Sequence, residues 1–86
     1  MTNELEQQVA DHERHGARRV DKSLGFHKMP DGFALMLDAD EMYFYWLQAD
    51  GRYSEKHWDK WAVRRGAMLR RQANDARGGK VRDGSG

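Results

Sequence analysis

Three short apolar runs separated by turn residues constrain the fold of this chain more than any other feature. The runs are residues 24–29, 33–37 and 42–47. Pro30-Asp31-Gly32 separates the first two, an acidic segment at 38–41 separates the second from the third, and Asp50-Gly51 follows. Short apolar runs bounded by Gly, Pro and Asp are typical of β-strands joined by tight turns. The pattern predicts a three-stranded antiparallel meander.

The turn lengths also predict how the strands pair. The expected partners are Leu37 with Met42, Leu35 with Phe44, and Phe33 with Trp46. Because side chains alternate between the two faces of a strand, one face becomes a core face: Leu24, Phe26, Phe33, Leu35, Leu37, Met42, Phe44 and Trp46. The opposite face carries His27, Met29, Ala34, Met36, Tyr43, Tyr45 and Leu47, a mixture that does not look like an ordinary solvated surface.

Helical periodicity flanks the predicted sheet on both sides. Apolar residues from Leu5 to Val20 predict a first helix over about 3–20. Ser54 is a suitable N-cap for a second helix that ends near Ala76. The apolar half of its helical wheel is expected to dock on the sheet and contains Trp58, Trp61, Ala62, Met68, Leu69 and Gln72. Arg65 lies within this half and is expected to need an aromatic ring or a carboxylate as partner.

These elements predict one small α+β domain, with an N-terminal helix and a C-terminal amphipathic helix packed on the three-stranded meander. A chain of 86 residues has material for a single core. The domain is expected to span 1–76, followed by a flexible basic, glycine-rich tail at 77–86. The predicted common core contains Phe33, Leu35, Phe44, Trp46, Trp58, Trp61 and Leu69.

Composition narrows the cellular setting. The chain has no cysteine, which excludes a disulfide framework and thiolate zinc sites. Residues 1–8 are polar and acidic, unlike a signal peptide, and no stretch reaches the length of a membrane span. A cytoplasmic location without membrane attachment is therefore expected.

Charge is unevenly distributed along the chain. Residues 23–53 carry a net charge of −3, whereas residues 54–86 carry +5. A basic helix face is either a solvated surface or a phosphate-contacting one. The candidate phosphate-binding residues are Lys56, Lys60, Arg64, Arg70 and Arg71, with nucleic acid as the alternative partner.

The mixed face of the sheet is the other candidate surface. His27, Met36, Tyr43 and Tyr45 could contact a protein, since Tyr and Met are enriched at interfaces. They could also stack on unpaired bases, or lie buried beneath the first helix. Protein contact is the preferred function.

Catalytic and metal motifs are lacking. His12 and His15 are one helical turn apart, but two ligands do not make a metal site. The carboxylates at 38–41 do not have the spacing of a calcium loop. Without a nucleophile motif or a phosphate-binding glycine loop, the sequence predicts a protein that is not an enzyme and uses no cofactor.

One stretch resembles a known class of proteins. The segments 30–38, 42–47 and 57–67, the last reading HWDKWAVRRGA, resemble small uncharacterised proteins encoded by tailed bacteriophages. The resemblance covers about residues 24–67. It implies a small accessory protein that binds a host protein and inhibits or redirects it. The leading hypothesis is thus a protein-binding module, and the alternative is a small nucleic-acid-binding domain that uses the basic helix.

Overall fold

The computed structural model describes residues 4–22 and 28–85 and has the predicted α+β architecture. Its elements in chain order are α1 (Glu4–Glu13), β1 (Ala17–Arg19), β2 (Phe33–Asp38), β3 (Phe44–Gln48) and α2 (Lys60–Ser85). The three strands form one antiparallel sheet in the order β1-β2-β3. A helix packs on each face, so the described residues form three layers.

Strand β2 is the centre of the fold because it is buried on both faces. Ala34 and Met36 point toward α1, where Leu5 and Val9 cover them together with Tyr45 and Leu47 of β3. Phe33 and Leu35 point toward α2 and pack against Val63, Ala67 and Met29. The core therefore consists of two thin apolar layers, one on each side of the sheet.

The first helix is shorter than predicted, and the first strand of the sheet, β1, lies earlier in the chain than the predicted first strand. Gly16 has a φ of +96°, a conformation that costs little only for glycine, and it turns the chain from α1 into β1. The Asp21 carboxylate then accepts hydrogen bonds from Arg19 and from the backbone N–H of Leu35. These contacts attach β1 to β2.

The predicted first strand over 24–29 is not the strand found beside β2. Residues 23–27 lie outside the described residues, while Lys28 and Met29 are described and belong to no strand. Met29 was also expected on the tyrosine-bearing face of the sheet, but it packs with Phe33 on the other face.

The hairpin register differs from the prediction by two residues. Leu35 pairs with Trp46 and Leu37 with Phe44. Met42 leaves the strand for a wider loop, where it is exposed with a φ of 63°, instead of joining the core. The Asp38 carboxylate accepts the backbone N–H groups of Asp40 and Glu41 and stabilises that loop. Because a shift of two preserves the alternation, the predicted faces of β2 and β3 are retained.

The second helix begins at Lys60, not at Ser54. Ser54 is used differently, because its hydroxyl accepts the backbone N–H of Trp46. Tyr53 and His57 form isolated bridges to β3, so this segment lies along the free edge of β3. The N-cap is Asp59, whose carboxylate accepts the backbone N–H of Trp61 at 3.0 Å.

The end of α2 also lies beyond the predicted one at Ala76, since the helix continues to Ser85. Its C-terminal part includes Gly78 and Gly79. Glycine raises the free energy of a helix by about 1 kcal/mol per residue relative to alanine, but it does not exclude helical backbone angles.

The side of α2 that docks is the largest departure from the sequence analysis. Val63 and Ala67 are fully buried, whereas Trp58 is 73% exposed and Leu69 is 62% exposed. A methyl group added to Gly66 would lie 3.5 Å from the Trp46 indole nitrogen, which shows how closely the helix approaches β3. Small side chains allow this approach, and bulky ones on the same side would hold the helix away from the sheet.

Candidate functional site

An aromatic cavity of about 350 Å³ opens beside β3, at the end of the sheet formed by the β2–β3 hairpin. Four rings form its wall and define what we call the tyrosine pocket: His12, Tyr43, Tyr45 and Tyr53. The rings are in contact, with Tyr45 to Tyr43 and Tyr45 to Tyr53 centroid distances of 5.9 and 6.0 Å. The volume is at the lower end of the roughly 300–1,000 Å³ typical of ligand sites.

Each ring reaches the pocket from a different part of the fold. His12 comes from the last turn of α1, Tyr45 from β3, and Tyr43 from the residue before β3. Tyr53 joins them because its segment pairs with Leu47 along the edge of β3. The pairing of the segment around Tyr53 with the edge of β3 therefore completes the pocket.

A polar contact joins two of the rings in the pocket wall. His12 Nδ1 and the Tyr45 hydroxyl lie 2.8 Å apart. Burial lowers the pKa of His12 below its usual value of 6.5, although the charge of Asp11 opposes the shift. Burial raises the pKa of Tyr45 to about 12, with smaller contributions from Tyr43 and Asp38.

Charged residues also line the pocket. They are Asp38, Glu55 and Lys56. Backbone hydrogen bonding, first from Glu41, lowers the pKa of Asp38. Burial raises the pKa of Tyr43, and its hydrogen bond with Asp38 adds to this effect. Lys56 lies 2.9 Å from a carboxylate oxygen of Glu41 and 4.9 Å from the centre of the Tyr43 ring.

The predicted sheet-face residues have separate locations. Tyr43 is half-buried and Tyr45 is 5% exposed, and both line the pocket. Met36 is fully buried under α1 and offers no surface to a partner. His27 lies outside the described residues. Sequence reasoning missed Tyr53 and His12 as pocket residues, and only the spacing of tyrosines at 43, 45 and 53 could have suggested the first.

The predicted phosphate-binding residues do not form one cluster of unpaired cations. Arg64 donates to the backbone carbonyl of Lys28, and Arg71 lies within ion-pair distance of Asp31 and Asp75. Lys56 lies beside the pocket, and the Lys60 ammonium lies 5.9 Å from the centre of the Trp61 ring. The Nε atom of Arg70 is buried and has no hydrogen-bond partner in the described part of the chain.

The second surface of interest is the outward side of α2. We call it the α2 outer face and define it by Trp61, Met68 and Leu69 of the helix together with Trp58, which lies two residues before the helix begins. All four side chains are exposed. Arg65 is also exposed, and no carboxylate or aromatic ring of the described residues holds it. The expectation of a specific Arg65 partner is therefore wrong, and so is the expectation that Trp58, Trp61 and Leu69 are core residues.

The described residues contain neither a metal-binding cluster nor a membrane-spanning helix. Over residues 4–22 and 28–85, no group of three or more His, Asp or Glu side chains could hold a metal ion. None of the helices in that part of the chain is long and apolar enough to cross a membrane. Comparisons of the whole chain with models of protein families, with curated proteins and with solved structures gave no significant match.

Proposed function

We propose that this protein is a non-enzymatic protein-binding module that contacts its partner through the α2 outer face. The observation that supports the proposal is the exposure of Trp61, Met68 and Leu69 on α2, together with that of Trp58 two residues before the helix. Isolated exposed apolar residues are ordinary, but a contiguous set of large ones is typical of an interaction surface.

The composition of this face resembles the centre of a protein interface. Tryptophan, methionine and arginine are enriched at such centres, and tryptophan is among the residues that contribute most to affinity. Trp58 and Leu69 provide the apolar part, and Arg65 lies between them along the chain. The resemblance of residues 24–67 to bacteriophage proteins favours a host protein as the partner, whose activity would be blocked by occupation of its surface.

The experiment is a comparison of proteins retained from a bacterial lysate by the intact chain and by a Trp58→Ala/Leu69→Asp variant. We expect the variant to lose any specific partner, because truncation of an interface tryptophan commonly costs about 2 kcal/mol of binding free energy. Met42→Ala is the matched control, since Met42 is similarly exposed but lies in the hairpin loop. The proposal is overturned if the double variant folds and retains the same proteins as the wild type.

Self-association is a separate outcome to be measured. Sedimentation of the purified chain over a range of concentrations would reveal a dimer. A dimer that Leu69→Asp dissociates would mean that a second copy covers the α2 outer face, which would contradict a foreign partner at this surface.

Nucleic-acid binding is the alternative and has less support. Several candidate cations are already engaged, as with Arg71 beside Asp31 and Asp75. If phosphates are bound nevertheless, Lys60→Gln, Arg64→Gln and Arg71→Gln together should abolish retention of DNA or RNA. The logarithm of the association constant should also fall by about 0.7 to 0.9 per phosphate for each logarithmic unit of salt.

A further inference from the structure

We propose that the tyrosine pocket is a second binding site that takes an organic cation, a guanidinium or ammonium group carried on an apolar stem. This site is distinct from the α2 outer face. It is a cavity lined by aromatic rings and by two carboxylates, those of Asp38 and Glu55.

The aromatic wall favours a positive charge. The face of a neutral aromatic ring carries negative potential and attracts ammonium and guanidinium groups within about 6 Å of the ring centre. The rings of Tyr45 and Tyr53 meet edge to face at an interplanar angle of 66°. The rings of His12 and Tyr53 meet at 74°. Because these rings all line the same cavity, a cation bound there would have several aromatic rings near it, as in aromatic cages for alkylammonium groups.

The charged residues of the lining also favour a positively charged ligand. Asp38 and Glu55 line the pocket, and Glu41 lies next to it through its ion pair with Lys56. Lys56 is the only lysine or arginine in the described lining, and Glu41 already neutralises it. An anionic ligand would meet two carboxylates, whereas a cation would be attracted by them.

The protein already contains an example of the proposed contact at the edge of the pocket. The Lys56 ammonium lies 4.9 Å from the centre of the Tyr43 ring while it pairs with Glu41. An ammonium is thus held between an aromatic face and a carboxylate. A ligand cation in the pocket would have the same two kinds of partner, supplied by Tyr45 or Tyr53 and by Asp38 or Glu55.

The test is a calorimetric or NMR titration of the full chain with N-acetylargininamide. The matched neutral probe is N-acetylcitrullinamide, which has nearly the same shape without the charge, and phenyl phosphate is the anionic probe. We expect the arginine derivative to bind and to shift tyrosine ring resonances, and the other two to bind at least several-fold more weakly. Equal binding of the neutral probe, preference for phenyl phosphate, or no binding at millimolar concentration would each overturn the proposal.

A variant that changes the charge of the pocket gives a second test. Whether its affinity for the arginine probe rises or falls distinguishes a cationic ligand from an anionic one. Lys56→Gln removes a like charge and releases Glu41, so affinity for N-acetylargininamide should rise about two- to fivefold, in line with the size of exposed charge interactions. Lys60→Gln is the matched control, because Lys60 lies over Trp61 outside the pocket. A loss of affinity in Lys56→Gln would contradict a cationic ligand.

Tyr53→Ala tests whether the rings themselves contribute to binding. Tyr53 is 64% exposed, so its removal should leave the fold intact while weakening the arginine probe about two- to fivefold. Unchanged affinity in a folded variant would exclude the proposed site.

A peptide with one central arginine distinguishes the source of the cation. Tighter binding than that of N-acetylargininamide indicates a protein side chain, and equal binding indicates a small free cation.

Discussion

The Nδ1 atom of His12 and the hydroxyl oxygen of Tyr45 lie 2.8 Å apart, and this contact joins α1 to β3. It adds a polar contact to the apolar layer that contains Leu5, Val9 and Met36. The same two side chains also form part of the wall of the tyrosine pocket. The contact thus links the stability of α1 to the shape of the pocket.

Replacement of Tyr45 by phenylalanine should lower the free energy of unfolding by about 1 kcal/mol, the usual net value of one hydrogen bond. The ring remains in place, so the apolar packing is retained. Urea denaturation followed by circular dichroism measures the change. Tyr53→Phe is the control, because that tyrosine is largely exposed. Equal losses in the two variants would contradict a specific role for the His12 contact.

Acid should destabilise the protein through His12. Its pKa is lowered in the folded state, mainly by burial, so the unfolded chain binds a proton more readily than the folded one. The contribution of neutral His12 to the free energy of unfolding is fully present above pH 6.5. It is lost as the pH falls through the lowered pKa that His12 has in the folded state. Denaturation at several pH values should show this decline in the wild type. A decline that is undiminished in His12→Gln would assign the effect to other groups.

Gly66→Ala should stabilise the protein by about 0.5 to 1 kcal/mol. Gly66 lies within α2, where alanine is favoured over glycine by about that amount. The added methyl group would meet the Trp46 indole nitrogen at 3.5 Å, an ordinary van der Waals distance. A higher melting temperature is the expected result. Gly16→Ala provides the contrast and should destabilise, since Gly16 has a φ of +96°.

The orientation of α2 predicts opposite results for two aspartate substitutions. Val63→Asp places an unpaired charge in a fully buried site and should unfold this small domain. Leu69→Asp changes a side chain that is 62% exposed and should alter stability by no more than about 0.5 kcal/mol. Thermal denaturation of both variants measures the difference. If Leu69→Asp proved more destabilising than Val63→Asp, the helix would dock through the side that carries Leu69.

The face that each side chain of β2 and β3 occupies could be predicted from the sequence alone. Met36 and Tyr45 lie on one face and Leu35 on the other, as the alternation indicates. This result does not depend on the correct register, since the observed two-residue shift keeps the side chains of β2 and β3 on their predicted faces, although Met42 leaves the strand. Strand alternation is a local property of the backbone, so it survives an error in the loop.

The docking side of α2 and the composition of the pocket were decided by tertiary structure. A helical wheel selects the most apolar side, and that side contains Trp58 and Leu69. In the structure, the small residues Val63 and Ala67 face the sheet instead. How closely a helix can approach a sheet depends on the volume of its side chains as well as on their hydrophobicity. Tyr53 joins the pocket only because its segment pairs along β3. Such long-range pairing leaves no local periodicity in the sequence, so only the assembled fold reveals it.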